Sequence, residues 1–205
     1  MIKFVYFDLG GTLINDFSGT NKWEIHKREL GITPVKDTEF DQFWTEYEHN
    51  LCAGKDTTPF IQLMNKQFNI NIPSYESLLT GFINKFTENR SIWPIIREVK
   101  QKTRIGMLTN MYPGMFDAIK KRQILPEFNW EIIIDSSVVG FQKPEKEIYQ
   151  IAQAGAKVKN QEIFFIDNTP QNLQTAQLLG WQTFLYDSNN SDKSSKELYE
   201  RLRLN

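Results

Sequence analysis

Residues 4–15, FVYFDLGGTLIN, decide the fold of this 205-residue chain. The stretch begins with aromatic and β-branched residues and continues into Asp8, a glycine pair and Thr12. Because its first residues are apolar at consecutive positions, it is typical of a strand in a parallel sheet that is covered on both faces. The stretch therefore predicts a first strand over residues 2–7, which ends at a carboxylate and a sharp turn.

Four further runs of the same texture follow later in the chain. They cover residues 104–109, 131–135, 162–166 and 182–186. Helical patterns lie between the later runs, at residues 114–123, 144–155 and 170–179. Alternation of strands and helices in this way predicts an α/β fold with a doubly wound parallel sheet.

Residues 15–88 differ from the rest, because apolar residues recur there at helical spacing. One helical face consists of Phe40, Phe43, Trp44, Tyr47 and Leu51, and a second lies within residues 78–86. No strand pattern interrupts this segment. The sequence predicts an all-helical cap at 15–88, inserted after the first strand of a core made of residues 1–14 and 89–205.

Polar side chains stand just beyond four of the predicted strands. They are Asp8, Thr109, Asn110, Lys143, Asp167 and Asn168. In an open parallel sheet the carboxyl ends of the strands converge on the ligand crevice. We therefore expect these side chains to lie close together at one edge of the sheet.

The residue types in this set suit the chemistry of group transfer. A carboxylate can attack phosphorus or an activated carbon to give an aspartyl intermediate that water then hydrolyses. Glycines after the carboxylate let backbone N–H groups face the transferred group, and a hydroxyl and a lysine can neutralise its oxygens. A second carboxylate allows Mg²⁺ to bind between the nucleophile and the substrate.

Four segments resemble the motifs of the haloacid dehalogenase-like hydrolases, in the right order and spacing. They are FDLGGTL, MLTN, GFQKPEKEIY and FFIDNTPQNLQTAQLLG. The resemblance covers the chain outside the cap, and the insertion between the first two motifs matches the position of the family's helical cap. It implies a Rossmann-like core. The first motif looks closest to the branch that contains small sugar-phosphate phosphatases and the phosphatase halves of epoxide hydrolases.

The resemblance also implies roles for individual residues. It makes Asp8 the nucleophile and places Thr109 and Lys143 on the phosphate, where we also expect Gly11, Thr12 and Asn110. The expected ligands of a Mg²⁺ cofactor are Asp8, the backbone carbonyl of Gly10, Asp167 and Asn168. The interpretation of Asn172 stays open between a helix-surface residue and a group that orients its neighbours.

Two positions depart from the family pattern. Gly10 stands where typical phosphatases of the family carry a second aspartate that transfers protons, so leaving-group protonation has to come from elsewhere. Asn168 stands where related sequences often have a second consecutive acid, which removes one charge from the expected metal site.

Three functions are compatible with these motifs and departures. The first is a Mg²⁺-dependent phosphatase of a small phosphorylated metabolite. The second is a metal-independent 2-haloacid dehalogenase, which fits the missing acid at Gly10 but lacks the early arginine segment of such enzymes. The third is a degenerate binding or regulatory protein that has kept the fold and lost efficient turnover.

The composition indicates which partners and which cellular compartment to expect. The formal net charge is −1 and no long basic run occurs, which disfavours nucleic-acid binding. Cys52 is a lone cysteine, as expected in a reducing compartment, and we interpret it as inert. No stretch approaches the ~20 apolar residues of a membrane helix, and the first residues lack signal-peptide features. We expect a cytoplasmic protein in which His26 and His49 are structural or exposed, and the sequence does not indicate an oligomeric state.

Overall fold

The strands alternate with helices along most of the chain, and the computed structural model describes them over residues 1–202. The strands are β1 (Phe4–Phe7), β2 (Ile14–Asn15), β3 (Thr87–Glu88), β4 (Arg104–Thr109), β5 (Ile132–Asp135), β6 (Ile163–Asp167) and β7 (Gln182–Leu185). Five of these form one parallel sheet in the order β5–β4–β1–β6–β7. The doubly wound α/β fold is thus confirmed.

Strand β1 lies in the middle of the sheet and is buried on both faces. Phe4 and Tyr6 pack into the hydrophobic cluster on one face, and Val5 and Phe7 pack into the cluster on the other. The chain order runs outward from β1 in both directions, so the topological switch point lies beside this strand. Ligands of open α/β sheets bind at that point, outside the carboxyl ends of the strands.

Helices cover both faces of the sheet and build the cap. They are α1 (Lys22–Glu29), α2 (Asp37–Cys52), α3 (Thr58–Phe68), α4 (Tyr75–Ile83), α5 (Trp93–Lys102), α6 (Met115–Lys121), α7 (Ser136–Val139), α8 (Lys146–Ala156), α9 (Pro170–Leu178) and α10 (Ser191–Leu202). Short 3-10 turns occur at Pro34–Lys36, Asn160–Glu162 and Ser188–Asn190. The helix predicted from residue 144 begins at Lys146, because Pro144 belongs to the turn before it.

Helices α1–α4 lie in the segment that we predicted as the cap, and the buried residues of this segment are continuous with one face of the sheet. Phe40, Trp44 and Phe82 of the cap belong to the same hydrophobic cluster as Val5 and Phe7 of β1. The continuity means that the cap and the core share one hydrophobic interior on this side.

A two-stranded antiparallel ribbon stands at the base of the cap, and the sequence did not predict it. Strands β2 and β3 pair Ile14 with Glu88 and Asn15 with Thr87. The expectation of an all-helical segment over 15–88 was therefore wrong at its two ends. Strands of two residues are too short to show the alternation by which a strand is recognised. The core and cap boundaries at 14/15 and 88/89 stay predictions, and the ribbon lies beside them.

Within residues 1–202, none of the helices combines the length and the apolar character needed to cross a bilayer.

Candidate active site

A tight loop after β1 places Asp8 at the carboxyl edge of the sheet. The Asp8 N–H donates to the carbonyl of Ile166, 2.8 Å away, and the N–H groups of Leu13 and Ile14 both donate to the carbonyl of Leu9. Gly11 has φ +68°, and a Cβ at this position would lie 2.1 Å from Nδ2 of Asn168. Only glycine suits this turn, because the backbone conformation is left-handed and the space is already filled.

The ammonium of Lys143 joins the carboxylates that follow β1 and β6. Its Nζ donates to Oδ1 of Asp8 at 2.7 Å and to Oδ2 of Asp167 at 2.6 Å. All three side chains are buried. The structure therefore brings together three of the residues that the sequence placed at separate strand ends.

Asn110, at the end of β4, holds the backbone of Lys143 in place. Its Nδ2 donates to the Lys143 carbonyl, and its Oδ1 accepts from the Lys143 N–H, both at 2.8 Å. The side-chain amide of Asn110 is thus engaged with the protein. These two hydrogen bonds indicate that Asn110 positions Lys143, whereas we predicted that it contacts phosphate.

Burial and charge act together on this cluster. Burial raises the pKa of Asp8, and Lys143 opposes the rise. Burial lowers the pKa of Lys143, but the Asp167 and Asp8 carboxylates more than offset that effect, so its pKa is raised above the ordinary value. Lys143 stays charged, and its ammonium is the positive group that both carboxyl groups share.

Asp167 is oriented by donors from the start of α9. The Thr169 N–H donates to its Oδ1 at 2.7 Å, and Nδ2 of Asn172 lies 3.2 and 3.0 Å from its two carboxylate oxygens. Asn172 is buried, and its own carbonyl accepts from the Tyr149 hydroxyl at 2.8 Å. Of the two interpretations of Asn172, the structure therefore favours the group that orients Asp167 over a helix-surface residue.

The donor set at this edge fits Mg²⁺. The ion takes oxygen ligands and is commonly held by one or two carboxylates together with water and substrate phosphate. Asp8 and Asp167 supply two carboxylates that contact the same ammonium. Across residues 1–202 no group of three or more His, Cys, Asp or Glu side chains converges, so the protein would supply few of the ligands.

Within residues 1–202, three of the predicted site residues make no hydrogen bond to this cluster. Thr109 is 1% exposed, and its hydroxyl donates to the Asn110 carbonyl at 3.5 Å. The Thr12 hydroxyl is buried and has no hydrogen-bond partner among the described residues. Nδ2 of Asn168 donates to the hydroxyls of Ser18 and Ser188. Their expected roles on phosphate and metal stay predictions, as do those of the Gly10 carbonyl and Gly11.

A cavity of about 710 Å³ opens above Lys143, between the core and the cap. Residues of the core that line it include Asn110, Lys143, Thr169 and Asn172. The cap side is largely aromatic. Its rings are those of Phe17, Trp23, Trp44, Phe82 and Phe86, and Tyr112 joins them from the core.

Two acidic residues of the cavity lining were absent from the sequence prediction. Oε1 of Glu48 accepts from the Tyr112 hydroxyl at 2.7 Å. Asp16 lies just after β2, and burial raises the pKa of its carboxyl. Its Oδ2 lies 2.4 Å from the position that a Cβ on Gly10 would take. The only signal in the sequence is that Asp16 comes shortly after the first motif.

The histidines and the cysteine fall outside the charged cluster. His26 is buried among aromatic rings such as Phe17 and Phe82, and neither of its ring nitrogens has a hydrogen-bond partner in the part of the chain that the structure describes. His49 is exposed and contacts Gln142 of the core. Cys52 is buried beside the cavity, and burial raises the pKa of its thiol, which keeps it protonated.

A model of the haloacid dehalogenase-like hydrolase family matches residues 2–180. No curated protein matches the sequence. Solved structures do match. A predicted HAD-like family hydrolase from Porphyromonas gingivalis has a TM-score of 0.77 and 21% identity, covering 97% of this chain and 98% of that one.

Two further solved structures share this fold. A HAD family enzyme from Bacteroides thetaiotaomicron, in complex with magnesium and inorganic phosphate, has a TM-score of 0.72 and 21% identity over 92% of this chain and 96% of that one. A 2-haloacid dehalogenase from Pseudomonas syringae pv. Tomato DC3000 has a TM-score of 0.61 and 17% identity over 97% of this chain and 100% of that one. At these identities the likeness shows the fold alone.

Proposed function

The chain belongs to the haloacid dehalogenase-like hydrolases, and we propose that within this family it is a Mg²⁺-dependent phosphatase of a small phosphorylated metabolite. The observation that carries the proposal is the ammonium of Lys143, which contacts both Asp8 and Asp167 at the switch point of the sheet. A nucleophilic carboxylate, a cation for phosphoryl oxygens and a second carboxylate for a metal are the parts that phosphoryl transfer needs.

Asp8 is the proposed nucleophile. A carboxylate oxygen of Asp8 attacks phosphorus, the phosphorus–oxygen bond of the ester breaks, and an aspartyl phosphate forms. Water then attacks phosphorus, the bond to Asp8 breaks, and inorganic phosphate leaves. Lys143 stabilises the negative charge on the transferred group, and Asn110 keeps Lys143 in place. Mg²⁺, held by Asp8, Asp167 and the Gly10 carbonyl, would supply further positive charge for the phosphoryl oxygens.

The cavity disfavours the dehalogenase alternative. A 2-haloacid carries a carboxylate that needs a cation of its own, and Lys143 is the one basic side chain among the described residues that line the cavity. The same lining holds the carboxyl groups of Asp16 and Glu48, which do not bind an anion. The buried carboxylate of Asp167 supports a metal-dependent reaction instead.

Phosphate release with Mg²⁺ and with EDTA tests the proposal. We expect the wild-type protein to hydrolyse p-nitrophenyl phosphate with Mg²⁺ and to lose this activity in EDTA. Asp8→Asn should abolish turnover without loss of the fold, because an amide is a poor nucleophile. Asp117→Asn makes the same change on the exposed side of α6 and should leave the rate unchanged.

The other outcomes identify the alternatives. Halide release from a 2-haloacid that persists in EDTA would establish a dehalogenase. Absence of turnover in both assays would leave the binding or regulatory function. Activity of Asp8→Asn within tenfold of wild type would remove Asp8 from the mechanism.

A further inference from the structure

The missing carboxyl of Gly10 has a replacement in space. Oδ2 of Asp16 lies 2.4 Å from the position of a Cβ on Gly10. Covalent bond lengths place a carboxyl oxygen of any aspartate about 2.4 Å from its own Cβ. A carboxyl oxygen of Asp16 is therefore as far from this point as the carboxyl oxygens of an aspartate at position 10 would be.

The backbone conformation of Gly10 would allow a side chain, so it is not the reason for a glycine at this position. Its φ lies outside the left-handed region, in contrast to that of Gly11, so the backbone at position 10 accepts other residues. The obstacle to a side chain there is the carboxylate of Asp16 itself. The three heavy atoms nearest to a Cβ at position 10 all belong to the side chain of Asp16.

The loop that carries Asp16 holds this carboxylate at the site. The Ser18 N–H donates to Oδ1 at 2.8 Å, and Oδ2 is the oxygen that faces Gly10. Nζ of Lys22 donates to the backbone carbonyl of Asp16 at 3.1 Å. Asp16 also lines the cavity that Lys143 lines, so a substrate in that cavity would lie within its surroundings.

We propose that Asp16 is the residue that transfers the protons in the reaction, and this inference rests on the proposed phosphatase function. In the first step the Asp16 carboxyl gives its proton to the ester oxygen as the phosphorus–oxygen bond breaks, and the alcohol leaves. In the second step the Asp16 carboxylate takes a proton from the water that attacks the aspartyl phosphate. The carboxyl is thereby restored, and phosphate leaves.

The leaving group distinguishes this role from a structural one. Ethyl phosphate needs its leaving oxygen protonated, whereas p-nitrophenyl phosphate hardly does. We expect Asp16→Asn to lower kcat/KM for ethyl phosphate 10²–10⁴-fold, the usual contribution of general acid–base catalysis, and to lower it less than tenfold for p-nitrophenyl phosphate. The Mg²⁺ concentration for half-maximal activity should not change.

Asp56→Asn is a matched control. Oδ1 of Asp56 accepts from the Thr58 N–H at 2.9 Å, the same two-residue turn that Asp16 makes with Ser18, but Asp56 is exposed. We expect its activity toward both esters to equal that of wild type.

A carboxyl exchange completes the test and does not depend on the stability of Asp16→Asn. In Gly10→Asp/Asp16→Ala the carboxyl moves to position 10, and activity toward ethyl phosphate should rise at least about tenfold above that of Asp16→Ala. The proposal is overturned if Asp16→Asn lowers kcat/KM equally for the two esters, or if it changes kcat/KM for neither. A rise in the Mg²⁺ requirement with equal loss on both esters would make Asp16 a metal ligand. If the wild-type protein hydrolyses neither ester, the phosphatase function fails as well.

Discussion

Lys143→Met tests whether the buried charge cluster depends on its single cation. Methionine keeps a long unbranched side chain but removes the ammonium that lies 2.7 Å from Asp8 and 2.6 Å from Asp167. The two carboxylates are 7% and 0% exposed, so water cannot replace the lost charge. Breaking a buried ion pair by removing one partner costs about 3–5 kcal/mol, which is a large part of a typical free energy of unfolding of roughly 5–15 kcal/mol.

Urea unfolding at pH 7.5 in EDTA measures this loss. Lys120→Met is the matched control, because Lys120 forms an exposed ion pair with Asp117, and such pairs contribute only about 0–1 kcal/mol. Adding Asp8→Asn to Lys143→Met removes one of the two unpaired carboxylates and should restore about 1–2 kcal/mol. Mg²⁺ should also stabilise Lys143→Met, since the proposed metal site exists only in the folded protein. A loss for Lys143→Met no larger than that for Lys120→Met would refute the reasoning.

Three further predictions concern the metal and the cap. Asn172→Leu should lower the affinity for Mg²⁺ about 10–100-fold in a calorimetric titration, because it removes the donor that orients Asp167, and equal affinity would contradict this role. Asp167→Ala should lower that affinity at least as much, since it removes an expected ligand, and unchanged binding would exclude Asp167 from the site. Burial lowers the pKa of His26 to about 4. The unfolded chain therefore binds a proton at this histidine that the folded chain does not, and the contribution of His26 to stability should fall by about 2 kcal/mol from pH 7.5 to pH 5. The free energy of unfolding of His26→Leu should fall less than that of wild type between these two pH values in the same urea experiment. An equal fall in the two proteins would exclude His26 as the cause.

The positions of the main strands along the chain could be predicted from the sequence, because each buried strand has a continuous apolar run. Phe4, Val5, Tyr6 and Phe7 are all fully buried, and such continuous apolar runs occur only where both faces of a sheet are covered. The charged cluster was also foreseeable. Parallel strands place their carboxyl ends at one edge, so Asp8 and Asp167 had to meet there.

The contacts of side chains in the loops could not be predicted from a sequence pattern. Thr12 is fully buried and Nδ2 of Asn168 donates to the Ser188 hydroxyl, contacts that the motif does not indicate, and the roles of both residues on phosphate and metal stay predictions. Asp16 was missed for the same reason. Its approach to Gly10 depends on how the chain folds back through β2, a two-residue strand that leaves no periodic signal.

The aromatic lining of the cavity has an optical consequence. Trp23 and Trp44 stand edge to face with ring centroids 5.1 Å apart, and both border the space above Lys143. Indoles this close couple their electronic transitions, so the near-ultraviolet circular dichroism of the protein reports on their packing. Trp181 lies in the other hydrophobic cluster, stacked on Tyr6 at 5.8 Å. The protein thus has a pair of coupled indoles at its cavity and a separate indole on the opposite face of the sheet. A ligand that binds in the cavity should change the signal of the pair, and Trp181 serves as the internal reference.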